Sequence, residues 1–264
     1  MSGSCDGGRG RQNLRVLLDY AGAIAVVGLV WELAALAVHR SILPGPAPTL
    51  AAFARGMFTA EGLSGGLARH FLVSTYRVVV SMVIACALAV PLGLWMGRSE
   101  RLDRWLAPIV YLLYPVPKVA FLPIILLFLG VYDAPKIFLI AIVVFFQILV
   151  TTRDAARQVS PQSVYSMISL GASDSQIYQY AILPACLPKI FTSLRIGLGT
   201  AVAVLFLTET FATSLGLGYF LVDSWSRLAY VDLFAGVVAL GVLGFLLYLL
   251  VEWLERELTP WQFI

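Results

Sequence analysis

The chain has 264 residues, 60% of them hydrophobic and only 12% charged, too little charge to cover a soluble domain of this length. Its formal charge of +3 argues against nucleic acid as a partner. Cys5, Cys86 and Cys186 lack metal-type spacing and read as free packing thiols, so no metal site is expected. With a mean hydropathy of +0.88 and recurring apolar runs of about 20 residues, the length that crosses a ~30 Å bilayer core, this is an all-α polytopic membrane protein.

The opening MSGSCDGGRGRQN is too polar for a cleaved signal and reads as a disordered cytoplasmic tail over 1–15, ahead of a membrane domain over 16–264. About six crossings follow by length and apolarity: 16–38, 71–97, 105–130, 135–152, 187–213 and 233–255. An even number places both termini on one side. Under this threading Arg9, Arg11, Arg15, Arg98, Arg101, Arg104, Arg153, Arg157 and Lys189 share that side, which the positive-inside rule makes cytoplasmic. Arg40, Arg55 and Arg69 fall opposite, in a long connection where the rule weakens. Within that connection 48–58 can form a short interfacial helix. Tyr219, Phe220, Trp225 and Tyr230 read as interfacial anchors of the last two spans. Gly93 and Gly97, four apart, and Gly197 and Gly199 are small residues that let helices approach closely in lipid.

Between the fourth and fifth spans lies SPQSVYSMISLGASDSQIYQYAILPACLPKI. Ser160 can cap a helix that starts at Pro161, where a missing N–H costs nothing. Val164, Met167 and Ile168 then share a face, and Gly171 suits the left-handed residue that ends the helix. Ser173 with Gln176 three residues on makes a capping box for a second helix. Ile177, Tyr180 and Ala181 line one face of it, Pro184 stops it, and Pro188 can open the next span. Two separately capped helices in a loop at 153–186 suggest a rigid projection to be gripped or pushed.

LGAS at 170–173 followed by ILP at 182–184 resembles the cytoplasmic signature loop of ABC importer permeases, the membrane subunits of binding-protein-dependent uptake systems. LPGPAP at 43–48, PLGLWMGRS at 91–99, YPVPKVAFLPIILLFLG at 114–130, LPACLPKIFTSLRIGLG at 183–199 and TETFATSLGLGYFL at 208–221 resemble its sulfonate/nitrate/taurine branch. The resemblance implies a type I importer permease fold in a bacterial inner membrane. It also implies a second permease copy, this chain again in a homodimer or a sister chain, two ATP-binding subunits and an extracytoplasmic substrate-binding protein. Residues expected at the ATPase are Ser160, Pro161, Val164, Tyr165, Met167, Ile168, Leu170, Gly171, Ala172, Ser173, Leu183 and Pro184. The family's Glu-Ala-Ala is replaced by Tyr165, Ser166 and Met167, which removes one acidic contact. Closure of the ATPase pair would push these helices and tilt the spans. The chain has no G-x-x-x-x-G-K-[ST] loop, so it is not itself an enzyme. It binds no cofactor, and ATP with Mg belongs to the partner ATPase.

Ionisable residues inside a span cost about 2.5–3.5 kcal/mol and usually face a cavity or a partner. Lys118 follows Pro115 and Pro117, which break the third span; Glu209 stands between Thr208 and Thr210 near the outer end of the fifth. These six residues are the candidates for lining or gating a translocation path. Glu32 and Gln147 read as interhelical glue, and Arg77 as close enough to the interface to snorkel. A membrane enzyme would need a nucleophile and base or a metal cluster, which His39, His70, Asp133 and Asp223 do not supply. A stand-alone secondary transporter or channel would more often show two similar halves with broken helices, and would leave the capped helices without a purpose. Within the resemblance, the substrate is a small anion such as a sulfonate, nitrate or taurine-like compound, although one Lys and one Glu do not by themselves favour an anion.

Overall fold

The computed structural model describes residues 22, 25–38, 42–59 and 66–262, and all regular structure among them is helical. In chain order the helices are α1 (Ala25–Val38), α2 (Pro46–Phe58), α3 (Leu67–Arg98), α4 (Glu100–Leu113), α5 (Leu122–Leu129), α6 (Asp133–Arg157), α7 (Pro161–Ser169), α8 (Asp174–Glu209), α9 (Leu217–Ser226) and α10 (Tyr230–Leu258). A 3-10 turn, Lys118–Phe121, joins α4 to α5. The expected tail at 1–15 lies outside the described residues, as do Cys5, His39, Arg40 and the start of the first predicted span. The short helix predicted over 48–58 is present as α2, opened by Pro46 in its first turn.

Helices α3, α6, α8 and α10 are long and apolar enough to cross a membrane. Their relative directions follow from side-chain contacts. Arg77 of α3 pairs with Asp133, the first residue of α6. A Cβ on Gly97 of α3 would lie 2.5 Å from the Arg153 carbonyl of α6. Each helix advances twenty residues between these two contacts, about 30 Å at 1.5 Å per residue, which matches the apolar thickness of a bilayer. The two helices therefore run parallel and in register. Because both point the same way, residues 99–132 must return across the same thickness, so the pair α4 and α5, bent by 76°, forms one broken crossing. Helix α8 runs the opposite way: Lys189 bonds Gln158 near one end, and Glu209 meets Arg77 at the other. Arg195 of α8 pairs with Glu255 of α10 at 2.6 Å, towards the Arg153 end.

The apolar core lies between α3, α6, α8 and α10, centred on Val78, Ala85, Leu139, Val144, Ile148, Ala201, Leu205 and Leu243. Outside it, large apolar side chains such as Leu127, Phe128, Trp253 and Leu72 are exposed, as expected where lipid is the solvent. Helix association without a hydrophobic drive depends on close packing. Gly93 and Gly97 supply it: a Cβ on Gly93 would come within 2.8 Å of the Thr152 Cβ, and one on Gly97 within 2.6 Å of the Ala156 Cβ. Gly197 is tight against Val144, but a Cβ on Gly199 would meet nothing within 4 Å among the described residues. Gln147 does bridge helices, donating to Thr200 Oγ1 at 3.2 Å. Cys86 is half-buried, Cys186 is buried and both are free thiols.

Two expectations about prolines are corrected. Pro184 does not stop a helix and Pro188 does not open one: both lie inside the continuous α8. A π-helical segment, Tyr178–Ile182, precedes Pro184. The wider turn accommodates a ring that has no N–H to donate and would crowd the carbonyl four residues back. It also resets the buried face. Ile177 and Ile182, five apart, are buried, while Tyr180, predicted on the same face as Ile177, is exposed.

Candidate functional site

Helix α7 begins as the sequence indicates. Ser160 Oγ accepts from the Ser163 N–H at 3.3 Å and Pro161 occupies the first turn. The helix ends in a Schellman motif. The Ala172 N–H donates to the Met167 carbonyl at 3.1 Å, and the Gly171 N–H to the Ile168 carbonyl at 2.9 Å. Gly171 sits at φ +77°, where a side chain would be strained. Two residues on, Ser173 Oγ accepts from the Gln176 N–H while Gln176 Oε1 accepts from the Ser173 N–H at 2.8 Å, a complete capping box. One tight turn thus joins two helices, each held at the junction by its own cap hydrogen bonds.

Val164 anchors α7 into a small apolar cluster with Leu94, Ala155, Ala156, Ile177, Ile182, Cys186 and Ile190, and Met167 and Ala172 pack on its edge. This leaves Tyr165, Ile168 and Leu170 facing outward, Leu170 being 83% exposed. Of the residues in place of Glu-Ala-Ala, Tyr165 and Ser166 are exposed and Met167 is tucked inward. Leu183 and Pro184 are half-buried within α8, beyond the turn. Below this surface, Asp103 of α4 receives Arg153 through both Nε and Nη2 and Arg157 through Nη1 at 3.0 Å. Arg153 Nη1 also donates to Tyr111 Oη at 2.6 Å. The loop is therefore mounted on α6, whose end is locked to α4.

The candidate path residues separate into two places. Pro115 and Pro117 do break the third crossing. At the break Lys118 Nζ donates to the carbonyls of Leu113 at 2.9 Å and Tyr114 at 3.0 Å, the orphan acceptors at the end of α4. Its ammonium lies 4.4 Å from the centre of the Phe146 ring. It borders an otherwise apolar cavity of about 310 Å³ between α5 and α6. Such a break within the membrane is tolerated where protein or water covers it.

Glu209 belongs to a largely buried polar knot at the other end. Arg77 Nη1 donates to Glu209 Oε1 at 2.6 Å. Ser74 Oγ lies 2.8 Å from Oε2, and the Gly218 N–H donates to Oε2 at 2.9 Å. The same Arg77 donates through Nε and Nη2 to Asp133 Oδ1 at 2.8 and 2.6 Å, and through Nη1 to the Leu215 carbonyl at 2.8 Å. Gly216, at φ +125°, leaves room for the Glu209 carboxylate, which a Cβ there would strike. Glu209 is fully buried and Arg77 only 3% exposed, so Arg77 does not snorkel. Two carboxylates on partner helices retain it inside, which keeps the charge compensated. Thr208 and Thr210 return their hydroxyls to the Leu205 and Leu207 carbonyls of their own helix. His70 lies nearby, with Nδ1 at 3.0 Å from the Gly216 carbonyl and its ring stacked on Tyr219. Sequence reasoning missed Ser74, His70 and Asp133 as partners. The available signal was Arg77 itself, since an arginine ten residues into a spanning helix requires a carboxylate from elsewhere.

Residues 89–261 match the family described as binding-protein-dependent transport system inner membrane component. The chain is 32% identical over 247 residues to the taurine transport system permease protein TauC of Escherichia coli (strain K12), covering 91% of this chain and 88% of that one. It is 31% identical over 244 residues to the nitrate import permease protein NrtB of Synechocystis sp., covering 90% and 88%. It is 28% identical over 257 residues to the bicarbonate transport system permease protein CmpB of Synechococcus elongatus, covering 91% and 88%. Among solved structures it resembles a chain of the MetNI methionine ABC transporter in inward-facing conformations, with TM-score 0.61 at 18% identity, over 73% of this chain and 96% of that one. That likeness supports the fold, and the sequence relatives carry the family. With spanning helices, a broken crossing and a doubly capped loop all accounted for, this chain belongs to the binding-protein-dependent transport system inner membrane component family, as a multi-pass inner-membrane permease subunit of an ABC importer whose ATP hydrolysis resides on a separate subunit.

Proposed function

We propose that the permease admits a small anion and takes its driving force through the exposed face of α7. One observation carries the coupling reading: the capping box at Ser173 opens a helix that continues without interruption to Glu209. Its 36 residues span about 54 Å at 1.5 Å per residue. A displacement applied at Leu170 and Gly171 therefore reaches the Arg77 knot at the far end through a single rod. In this reading the α7 end, the loop at 153–186 and both termini are cytoplasmic. Two ATP-binding subunits holding ATP and Mg dock on Tyr165, Ile168 and Leu170. The apolar, uncharged character of these residues selects an ATPase groove with less cationic demand than an acidic loop would meet. A second copy of this chain completes the pore as a homodimer, and an extracytoplasmic binding protein delivers substrate to the Arg77 end.

Taurine, nitrate and bicarbonate, named in the relatives, share a compact anionic group, and that chemistry supports the substrate class. Lys118 is the cation placed to meet it, at a break within the third crossing. The test is a reconstituted complex with its ATPase and binding protein. Tyr165→Ala with Leu170→Ala should reduce co-purification of the ATPase and uncouple ATP hydrolysis from uptake. Unchanged co-purification, or labelling of a Ser169→Cys thiol from outside intact cells, overturns the reading. Thermal-shift screening of the binding protein against taurine, alkanesulfonates, nitrate and bicarbonate identifies the anion, and stabilisation only by a cation would refute the class.

A further inference from the structure

At the Arg153 end, between the end of α3 and the start of α4, lies an open polar cavity of about 430 Å³. Arg98, Arg104 and Arg157 line it, with Glu100 and Asp103. Asp103 is already committed to Arg153 and Arg157, and Asp154 lies 3.3 Å from Arg153. Arg98 and Arg104 have no ion pair among the described residues. Arg98 and Arg104 thus have no carboxylate in contact, Glu100 is equally unpaired among the described residues, and the three arginines of the lining exceed its two carboxylates by one positive charge. Guanidinium groups match the oxygens of carboxylates and phosphates in bidentate geometry, and phosphate is the anion that every phospholipid headgroup carries.

The depth of the cavity indicates which phosphate. Gly97 and Arg153 mark one end of the ~30 Å stretch over which α3 and α6 run in register. Trp95, 59% exposed, precedes Arg98 by three residues, and Trp105, 75% exposed, follows Arg104 directly. Exposed tryptophans at the ends of spanning helices sit at headgroup level. A basic cavity between spanning helices at that level is built for a lipid headgroup. We infer that this cavity, at the headgroup level marked by Trp95 and Trp105, binds the phosphate headgroup of an anionic membrane lipid through Arg98 and Arg104. The inference needs only that the chain crosses the membrane, so it stands apart from the coupling and substrate readings above.

The experiment is native mass spectrometry of the full chain with its partner subunits, purified in mild detergent and incubated with phosphatidylglycerol or phosphatidylcholine. The parent protein should retain phosphatidylglycerol in preference to phosphatidylcholine. Arg98→Gln with Arg104→Gln should reduce its retention roughly tenfold or more, the scale of losing charge-assisted contacts. Arg98→Lys with Arg104→Lys should keep most of it, and Arg227→Gln at the opposite end should change nothing. Elution volume and thermal stability establish that each variant is folded. Equal retention of both lipids, or full retention by the Gln variant, overturns the inference. So does inorganic phosphate that displaces the lipid, which would mark a soluble-anion site. Loss of the ATPase from the Gln variant with lipid retention unchanged would instead give the cavity to a protein partner and also refute it.

Discussion

Arg77 donates to Glu209 at 2.6 Å with both side chains almost wholly enclosed, and this pair joins the first third of α3 to the last residue of α8. The same guanidinium holds the first residue of α6 through Asp133, whose side chain is 48% exposed. Three crossings therefore share one fastening at one end of the bundle.

Breaking that fastening should be costly in proportion to burial. Arg77→Met leaves the Glu209 carboxylate buried and uncompensated, a loss of about 3–5 kcal/mol. Asp133→Asn removes a half-exposed partner and should cost no more than about 1 kcal/mol. Thermal unfolding of the purified permease measures both. Equal destabilisation would show that the knot is not organised around Glu209.

The two path candidates should part company in function. Lys118→Met removes a cation from the break in the third crossing, where it touches only carbonyls and an aromatic ring, and should change uptake kinetics with little loss of stability. Glu209→Gln should lower stability first. If both variants leave uptake by the reconstituted complex unchanged, neither residue lies on the route of the solute.

Glycine substitutions give opposite signs on two helices. Gly97→Ala forces a methyl to within 2.5 Å of the Arg153 carbonyl, overpacking that costs about 1–3 kcal/mol. Gly199→Ala meets nothing within 4 Å and should stabilise by up to about 1 kcal/mol through helix propensity alone. Melting temperatures of the two variants check the contrast, and a neutral Gly97→Ala would mean that α3 and α6 do not meet there.

The turn between α7 and α8 can be loosened without touching any crossing. Ser173→Ala removes the capping hydroxyl at about 1 kcal/mol, and Gly171→Val places a branched side chain at φ +77°, a cost of at least about 1–2 kcal/mol. Hydrogen exchange over residues 170–182 should rise in both. Uptake per ATP hydrolysed should fall more in Gly171→Val, which changes the angle between the helices as well as fraying one end. Normal coupling with raised exchange would separate the turn from force transmission.

Local signals in the sequence proved reliable wherever the physics is local. The N-caps at Ser160 and Ser173, the left-handed Gly171 and the break at Pro115 and Pro117 each depend on a few adjacent residues, and each is found as read. Pro184 was misread because its effect depends on what the preceding turn can do. A π segment absorbs it, joins two predicted helices into one rod and puts Ile182, not Tyr180, beside Ile177.

Composition, apolar run length and capping residues were enough to specify a helical membrane protein with a stiff paired element between two crossings. The packing of the helices decided the rest. Whether Arg77 reaches water or a carboxylate, and whether Glu209 faces a cavity or a partner, depends on which helix ends share a side. Helix direction is set by connections and by contacts from about thirty to more than a hundred residues apart, and no local periodicity records them. The low cost of burying Arg77 exists only once Asp133 and Glu209 have been brought to it, so the partners became visible with the fold.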